Sequence, residues 1–181
     1  MAATIYDIIQ MTMVACGGTV TGKLAMQKLL YFQSQKIWEV GAEIDDHVHY
    51  YYGPFSCKVA GALLELSSFG LIHVSMTSWS NDGYVYRFSE GGEVCAKKAA
   101  EKYPATYDQI SGIVERCRDV CGLRSDPMSC AAKSHYMMME DDRAGYEADQ
   151  ISSVVGRFAW QVDPADARDG ANLLRALELA R

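Results

Sequence analysis

The apolar side chains of residues 23–40 recur at the spacing of one helical face, and no other stretch of the sequence restricts the fold as strongly. A Thr/Gly turn precedes the stretch, and Gly41 ends it. Apolar residues three and four positions apart align along one side of an α-helix, so the stretch predicts a helix that packs on a core along that side. The apolar positions are Met26, Leu29, Leu30, Ile37 and Val40.

The segments around this helix predict the order of the neighbouring elements. Thr4 and Asp7 form a capping-box pattern at the start of a first helix, which ends at Gly17. The aromatic, β-prone run 47–52 precedes a Gly-Pro turn, so it predicts a short strand. Ser56 follows as the expected cap of a third helix.

The third helix and the hairpin after it complete the first half of the chain. Gly70 lies where a helix commonly ends in a left-handed residue. Two β-type runs, 71–76 and 84–88, flank the Asn-Asp-Gly turn signal of 81–83. Helix, helix, short strand, helix, hairpin is the order of a winged helix-turn-helix, which we expect over residues 1–103. In the third helix the expected buried side comprises Val59, Leu63 and Leu66, extended by Leu64 and Phe69, and the expected outward side comprises Cys57, Lys58, Gly61, Ala62, Glu65 and Ser68.

Residues 104–181 predict a helical bundle. Apolar stripes at helical spacing run through 110–121, 128–139, 151–158 and 167–177. The fold class is therefore expected to be α+β and mostly α. In this fold the winged helix-turn-helix domain packs against a C-terminal helical bundle, and the two parts can share one core.

Composition and charge restrict the function classes. The net charge is −6, and each half carries −3, because residues 1–90 have 5 Lys/Arg against 8 Asp/Glu and residues 91–181 have 12 against 15. A strongly basic domain, the usual mark of a nucleic-acid binder, is absent from the sequence. The six cysteines lack the spacing of a small secreted domain, and no run approaches the ~20 apolar residues of a membrane span. We expect reduced thiols, a cytoplasmic location and no membrane partner.

Two paired motifs resemble a known group of families. Residues 24–32 read Leu-Ala-Met-Gln-Lys-Leu-Leu-Tyr-Phe, and residues 51–56 read Tyr-Tyr-Gly-Pro-Phe-Ser. Together they resemble the signature of the YwgA-like and Panacea (SocA-like antitoxin) families. Separately, the Gly-Leu-Ile of 70–72 and the Tyr-x-Phe-Ser-x-x-Gly of 86–92 resemble the wing of many bacterial and archaeal regulators. The first resemblance implies an antitoxin that neutralises a toxin by direct protein contact, although this chain has a longer helical C-terminal half.

The outward side of the third helix bears on the choice between protein and DNA as partner. Duplex binding needs several Lys or Arg side chains at the phosphates, whereas small side chains and an exposed Trp suit a protein interface. We therefore expect protein–protein interaction, with a DNA-binding transcriptional regulator, acting as a homodimer, as the alternative. Trp79 can instead pack against its own domain. The partner-binding candidates are Tyr52, Lys58, Ala62, Glu65 and Trp79, and the nucleic-acid candidates are Lys28, Lys58 and Arg87.

Metal and catalytic sites are not expected. Cys117, Cys121, Cys130 and His135 coincide with apolar stripes, which favours buried thiols and a core histidine over a zinc site. His47 and His49 share one face of the predicted strand, where solvent explains them as well as a metal does. Walker, nucleophile-elbow, dinucleotide and zinc-protease motifs are missing, so we expect a non-enzymatic protein without a cofactor.

Overall fold

The computed structural model describes residues 2–76, 83–140, 155, 157 and 161–180. These residues form eight α-helices and one three-stranded antiparallel sheet, which confirms an α+β protein that is mostly α. The helices are α1 (Ile5–Ala15), α2 (Lys23–Lys36), α3 (Trp38–Glu43), α4 (Cys57–Ser68), α5 (Glu90–Lys102), α6 (Pro104–Cys121), α7 (Ser125–Glu140) and α8 (Pro164–Ala176), and the strands are β1 (Thr19–Thr21), β2 (Ile72–Met76) and β3 (Tyr84–Phe88). Within these ranges, no helix is both long enough and apolar enough to cross a bilayer.

The sheet has the strand order β1-β3-β2. The β2–β3 hairpin was predicted, but the turn expected before α2 is wrong in part, because β1 forms there and pairs with β3. Val20 lies opposite Tyr86 in that pair, and His73 of β2 lies opposite Arg87 of β3. The expected turn signal at 81–83 falls mostly outside the described residues. β1 therefore ties the segment between α1 and α2 to the hairpin.

The helix predicted over 23–40 is interrupted. α2 ends at Lys36, and Ile37 is extended with φ −119° and ψ 113° before α3 begins. α3 then folds back so closely that a Cβ on Gly41 would lie 2.6 Å from the carbonyl oxygen of Ser34. Ile37 and Val40 are both buried as predicted, but a change of chain direction buries them.

The strand predicted over 47–52 is also wrong. Only one antiparallel bridge forms there, between Val48 and Phe55, and residues 51–53 make a turn. The predicted cap is confirmed, because the Ser56 hydroxyl accepts a hydrogen bond from the Val59 amide at the start of α4. The 45–56 segment is thus an irregular loop that its side-chain and backbone contacts hold in place.

One hydrophobic core contains residues from both halves of the chain. α1 packs on α5 and α6, and α7 packs on α2 and α8. Members of the core include Leu29 and Leu30 of α2 and Met128 of α7. In the run Met137–Met139 at the end of α7, Met138 is buried in the core and Met139 is exposed. The helical stripe predicted at 151–158 lies outside the described residues except for 155 and 157.

Candidate functional site

The two motifs of the family resemblance meet in space. Gln27, on α2, is buried, and its side chain bonds the backbone of Ser56 twice. The Ser56 amide donates to Gln27 Oε1 at 3.0 Å, and Gln27 Nε2 donates to the Ser56 carbonyl oxygen at 3.1 Å. A primary amide can satisfy both the N–H and the C=O of one residue, as a neighbouring strand would. Gln27 therefore fixes the start of α4 against α2.

Lys28 was predicted as a nucleic-acid contact, but the structure places its side chain in the interior. Its side chain is 1% exposed, and Nζ donates to the Pro54 carbonyl oxygen at 2.8 Å. Burial lowers the pKa of Lys28 to about 7, and the charge of Lys133 contributes in the same direction. α2 is buried on all sides over residues 25–33, and Lys28 lies on the side that the 45–56 loop covers. A phosphate cannot reach this ammonium.

Lys133 holds the other end of the same turn from α7. Its Nζ donates to the Tyr51 carbonyl oxygen at 2.6 Å, and burial lowers its pKa. Gly53 has φ +98°, and a Cβ there would lie 3.1 Å from the Lys133 Cβ, so both the backbone angle and the space require glycine. Tyr52 is half-buried in this turn with its ring edge-on to that of Tyr51. The Tyr-Gly-Pro turn thus joins α2 to α7.

A cluster of neutral aromatic side chains continues this contact. The Tyr31 hydroxyl and His135 Nδ1 share a hydrogen bond of 2.7 Å, and the Tyr31 ring packs edge-on against His47 at 5.1 Å between centroids. Burial lowers the pKa of His135 to about 4. Burial also lowers the pKa of His47 to about 4, although Asp46 opposes that shift. Both imidazoles are therefore neutral at pH 7.

Ser56 connects the loop and α4 through its hydroxyl. That oxygen accepts from the Val59 amide and donates to the Asp46 carboxylate, whose other oxygen accepts from the Lys58 amide at 2.8 Å. These bonds lower the pKa of Asp46, although burial opposes them. The carboxylate accordingly lies against the first turn of α4, where the helix dipole favours negative charge.

Replacement of Ser56 by alanine tests this cap. We expect Ser56→Ala to lower the free energy of unfolding by about 1–2 kcal/mol, because it removes the cap and leaves the Asp46 carboxylate short of one donor. Urea unfolding followed by circular dichroism measures the change. Ser68→Ala is the matched control, since the Ser68 hydroxyl is exposed and only donates to the Leu64 carbonyl oxygen of its own helix. An equal loss in both variants would contradict the proposed role of the cap.

The predicted outward side of α4 needs correction at three positions. Ala62 was expected outward but is 4% exposed, and Leu64 and Phe69 were expected inward but are 69% and 74% exposed. α1 packs against α4, and the 45–56 loop covers the start of α4. These contacts place Ala62 on the buried side of the helix. Leu64 consequently points to solvent on the opposite flank.

Lys58 and Glu65 lie on the flank of α4 near α1 and the loop. Lys58 forms an ion pair with Asp45, and Glu65 accepts a hydrogen bond from the Tyr6 hydroxyl. Both side chains are exposed, as predicted, but each is already engaged within the chain. Of the other predicted partner-binding residues, Tyr52 lies in the turn that contacts α7, Ala62 is buried, and Trp79 lies outside the described residues.

A groove lies on the other flank of α4, facing the hairpin. Its volume is about 270 Å³, and α2, α4, β2 and β3 form its walls. Leu64 stands at the edge of the groove, and Val74 of β2 is also exposed. Lys23, the one charged side chain among the described lining residues, lies 5.9 Å above the Tyr84 ring centroid. The lining residues are Lys23, Gln27, Ala60, Leu63, Leu64, Ser67, Val74, Tyr84 and Tyr86. The exposure of Leu64 could have been predicted from the sequence only if it were known which side of α4 packs on the core.

Arg87 is exposed on β3, as a nucleic-acid contact requires. Its cross-strand neighbours are His73 of β2 and Thr19 of β1. Of the three predicted nucleic-acid residues, the structure therefore leaves Arg87 exposed without an ion pair in the described part of the chain, Lys58 exposed but paired with Asp45, and Lys28 buried.

The cysteines and histidines do not gather into a metal cluster in the part of the chain that the structure describes. All six cysteines are unpaired thiols. Burial raises the pKa of Cys121 to about 11 and of Cys130 to about 12, and it raises the pKa of Cys117 further. These buried sulfurs are therefore protonated thiols at neutral pH.

Comparison of the sequence with protein-family models and with curated proteins finds no match. The resemblance to the YwgA-like and Panacea families therefore stays a prediction that rests on the residues 24–32 and 51–56.

Proposed function

We propose that this chain is a non-enzymatic regulatory protein that acts by binding another protein through the groove between α4 and the β2–β3 hairpin. The observation that carries the proposal is Leu64, which is 69% exposed in the middle of a helix and borders an apolar groove. Burying a leucine side chain against a partner contributes roughly 1.5–3 kcal/mol. Such a residue is typical of the anchor of an interface.

A winged helix-turn-helix domain over residues 1–103 is part of this proposal. The order α1, β1, α2, α3, α4, β2, β3 supports it, because the helix before the hairpin corresponds in chain order to the recognition helix of that fold. In a DNA-binding member the exposed side of this helix carries long polar and basic side chains. Here that side carries Leu64, and its one lysine, Lys58, is paired with Asp45. These features favour a protein partner.

The antitoxin-like role is the more specific form of the proposal, and it rests on the motif resemblance. Its support from geometry is indirect. Gln27, Lys28 and the Tyr-Gly-Pro turn hold the start of α4 rigidly against α2, so the motif residues position the helix that borders the groove. A rigid helix presents its anchors at a low entropic cost.

DNA-dependent regulation remains the second candidate, because Arg87 is exposed beside His73 on the sheet. A homodimer would then be expected, since paired half-sites compensate for the weak affinity of one domain. With Lys28 buried, each monomer offers fewer cations to the phosphates, and the affinity should be low at physiological salt.

The substitution Leu64→Asp tests the protein-binding proposal. A tagged full-length chain is purified from its native cell at moderate salt with nuclease, and the partner that co-purifies in stoichiometric amount is then measured against the purified chain by calorimetry. We expect Leu64→Asp to weaken this binding tenfold or more, about 1.4 kcal/mol, because it places a charge at the anchor position. Val94→Asp, at a half-exposed valine of α5, is the matched control and should leave the affinity unchanged.

Other results would contradict the protein-binding proposal. Unchanged binding of the partner by a folded Leu64→Asp variant would remove the groove from the interface. Co-purification of nucleic acid alone, with nothing left after nuclease, would favour the DNA-binding regulator. In that case fluorescence anisotropy with duplex DNA should show an affinity that falls steeply with salt and that Arg87→Ala reduces.

A further inference from the structure

A second cleft, of about 360 Å³, opens between the C-terminal half of α2, the loop after α3 and the end of α7. It shares no lining residue with the groove beside α4. The lining residues are Tyr31, Ser34, Gln35, Gly41, Ile44, Asp45, His47, Tyr136, Met139 and Glu140.

Three rings in this cleft, Tyr31, His47 and Tyr136, stand at steep angles to one another. Tyr31 and His47 are 5.1 Å apart with an interplanar angle of 78°, and Tyr31 and Tyr136 are 6.4 Å apart at 53°. Rings arranged in this way form adjoining walls rather than a stack. The negative faces of such rings attract a cation within about 6 Å, which is how aromatic cages recognise ammonium groups.

The charges in the lining have the same sign. Asp45 and Glu140 contribute two carboxylates, and the described residues of the lining include no lysine or arginine. Glu140 is close enough to the rings for its charge to raise the pKa of Tyr136, after the larger effect of burial. Two cations lie nearby: Lys58 pairs with Asp45 at the edge of the cleft, and Lys28 lies behind His47 with its ammonium bound to Pro54. Glu140 therefore provides the carboxylate that a ligand would meet at the mouth.

One buried nitrogen atom in the cleft can accept a hydrogen bond that no described residue donates. Nε2 of His47 is buried and lacks a hydrogen-bond partner among the described residues. The backbone oxygen of Ile44 interacts with the same imidazole. A neutral imidazole that donates from one nitrogen has a lone pair on the other, so Nε2 can accept a hydrogen bond from a ligand N–H group.

We propose that this cleft binds an alkylammonium group, either the side chain of a lysine on a partner protein or a free primary amine. Tyr136 and the small exposed part of Tyr31 line the space for the cation, the Glu140 carboxylate balances its charge, and His47 Nε2 accepts a hydrogen bond from one of its N–H groups. The cleft is large enough for a four-carbon chain and its ammonium group. This site is independent of the proposed docking of a protein at the α4 groove, because the two linings have no residue in common.

Titration of the ¹⁵N-labelled full-length protein with three probes tests the proposal by NMR. The probes are n-butylammonium, Nα-acetyl-lysine-methylamide and the uncharged n-pentanol. We expect saturable shifts at the amides of α2, α7 and the loop with the two cations, and weaker binding of n-pentanol by about threefold or more, as a cation–ring interaction requires. If the acetyl-lysine compound binds at least as tightly as butylammonium, the natural ligand is a lysine side chain. If it binds clearly more weakly, the ligand is a free amine.

Variants at the mouth of the cleft separate the contribution of the Tyr136 ring to binding from that of the Glu140 carboxylate. Tyr136→Leu and Glu140→Gln should each weaken butylammonium about threefold or more, whereas Tyr136→Phe keeps the ring and should bind normally. Glu93→Gln, an exposed carboxylate on α5, is the control and should have no effect. The proposal is overturned if neither cation gives saturable shifts, if n-pentanol binds as tightly as butylammonium, or if Tyr136→Leu and Glu140→Gln both bind normally while their circular dichroism remains native.

Discussion

Lowering the pH from 6.5 to 4 should remove several kcal/mol from the free energy of unfolding, and His47 and His135 should account for most of this loss. Burial lowers the pKa of each imidazole from 6.5 to about 4 in the folded state. A shift of this size corresponds to roughly 3 kcal/mol for each residue. Since a domain of this kind has a total stability of only about 5–15 kcal/mol, the combined effect is enough to unfold much of the protein.

The direction follows from proton binding. Between pH 4 and 6.5 the unfolded chain binds more protons at these histidines than the folded chain does, so the stability rises with pH in that window. The stabilisation is fully present above pH 6.5, the unfolded value, and it is lost as the pH falls through about 4. Asp45 and Asp46 have lowered pKa values and contribute at still lower pH, below their usual 3.8.

Urea unfolding at a series of pH values, followed by circular dichroism, measures this dependence. His135→Gln removes one titrating group and keeps an acceptor for the Tyr31 hydroxyl, so we expect about half of the pH dependence to disappear. His73→Gln, on the exposed face of β2, is the control and should reproduce the original curve. A stability that stays flat from pH 6.5 to 4 would show that these imidazoles are not buried in neutral form.

Local signals in the sequence predicted local structure. The capping box of Thr4 and Asp7, the cap at Ser56 and the left-handed Gly70 are all present, because each depends on residues within one helical turn. β1 was missed for the opposite reason. It has three residues, and its pairing with β3 brings Val20 opposite Tyr86, which is far away in the sequence. Such a strand has no periodicity of its own to detect.

The errors at the candidate sites have a related cause. Lys28, Ala62 and Leu64 were assigned from the apolar pattern of their own helices, but the helix phase is set by what packs on each side. The 45–56 loop buries Lys28, and α1 and the same loop turn Ala62 inward and Leu64 outward. The aromatic cleft was equally hidden, since Tyr31 meets His135 and Tyr136 from a helix about a hundred residues away. Pattern within a segment cannot supply such contacts.

The substitution Gly92→Ala should lower the free energy of unfolding by about 3 kcal/mol or more, because it places a methyl group where the backbone of Leu71 already lies. A Cβ on Gly92 would be 2.7 Å from the Leu71 carbonyl carbon and closer still to its oxygen. That oxygen cannot move away cheaply, since it accepts hydrogen bonds from the Ser89 amide at 3.1 Å and from the Ser89 hydroxyl at 3.2 Å. The Ser89 hydroxyl in turn accepts from the Gly92 amide and caps α5.

This contact gives a physical meaning to the Ser-x-x-Gly that closes the wing-like motif. Serine caps α5, and glycine three residues later lets the start of the helix touch the backbone of Leu71, just before β2. Gly91→Ala is the matched control, because the Cβ at that neighbouring helical position meets nothing within 4 Å. Alanine is the better helix former, so Gly91→Ala should stabilise the protein by up to about 1 kcal/mol. Urea unfolding of the two variants should therefore give changes of opposite sign. Similar small changes in both would mean that Leu71 and α5 can separate without cost, and that the glycine of the motif is required for some reason other than this close approach.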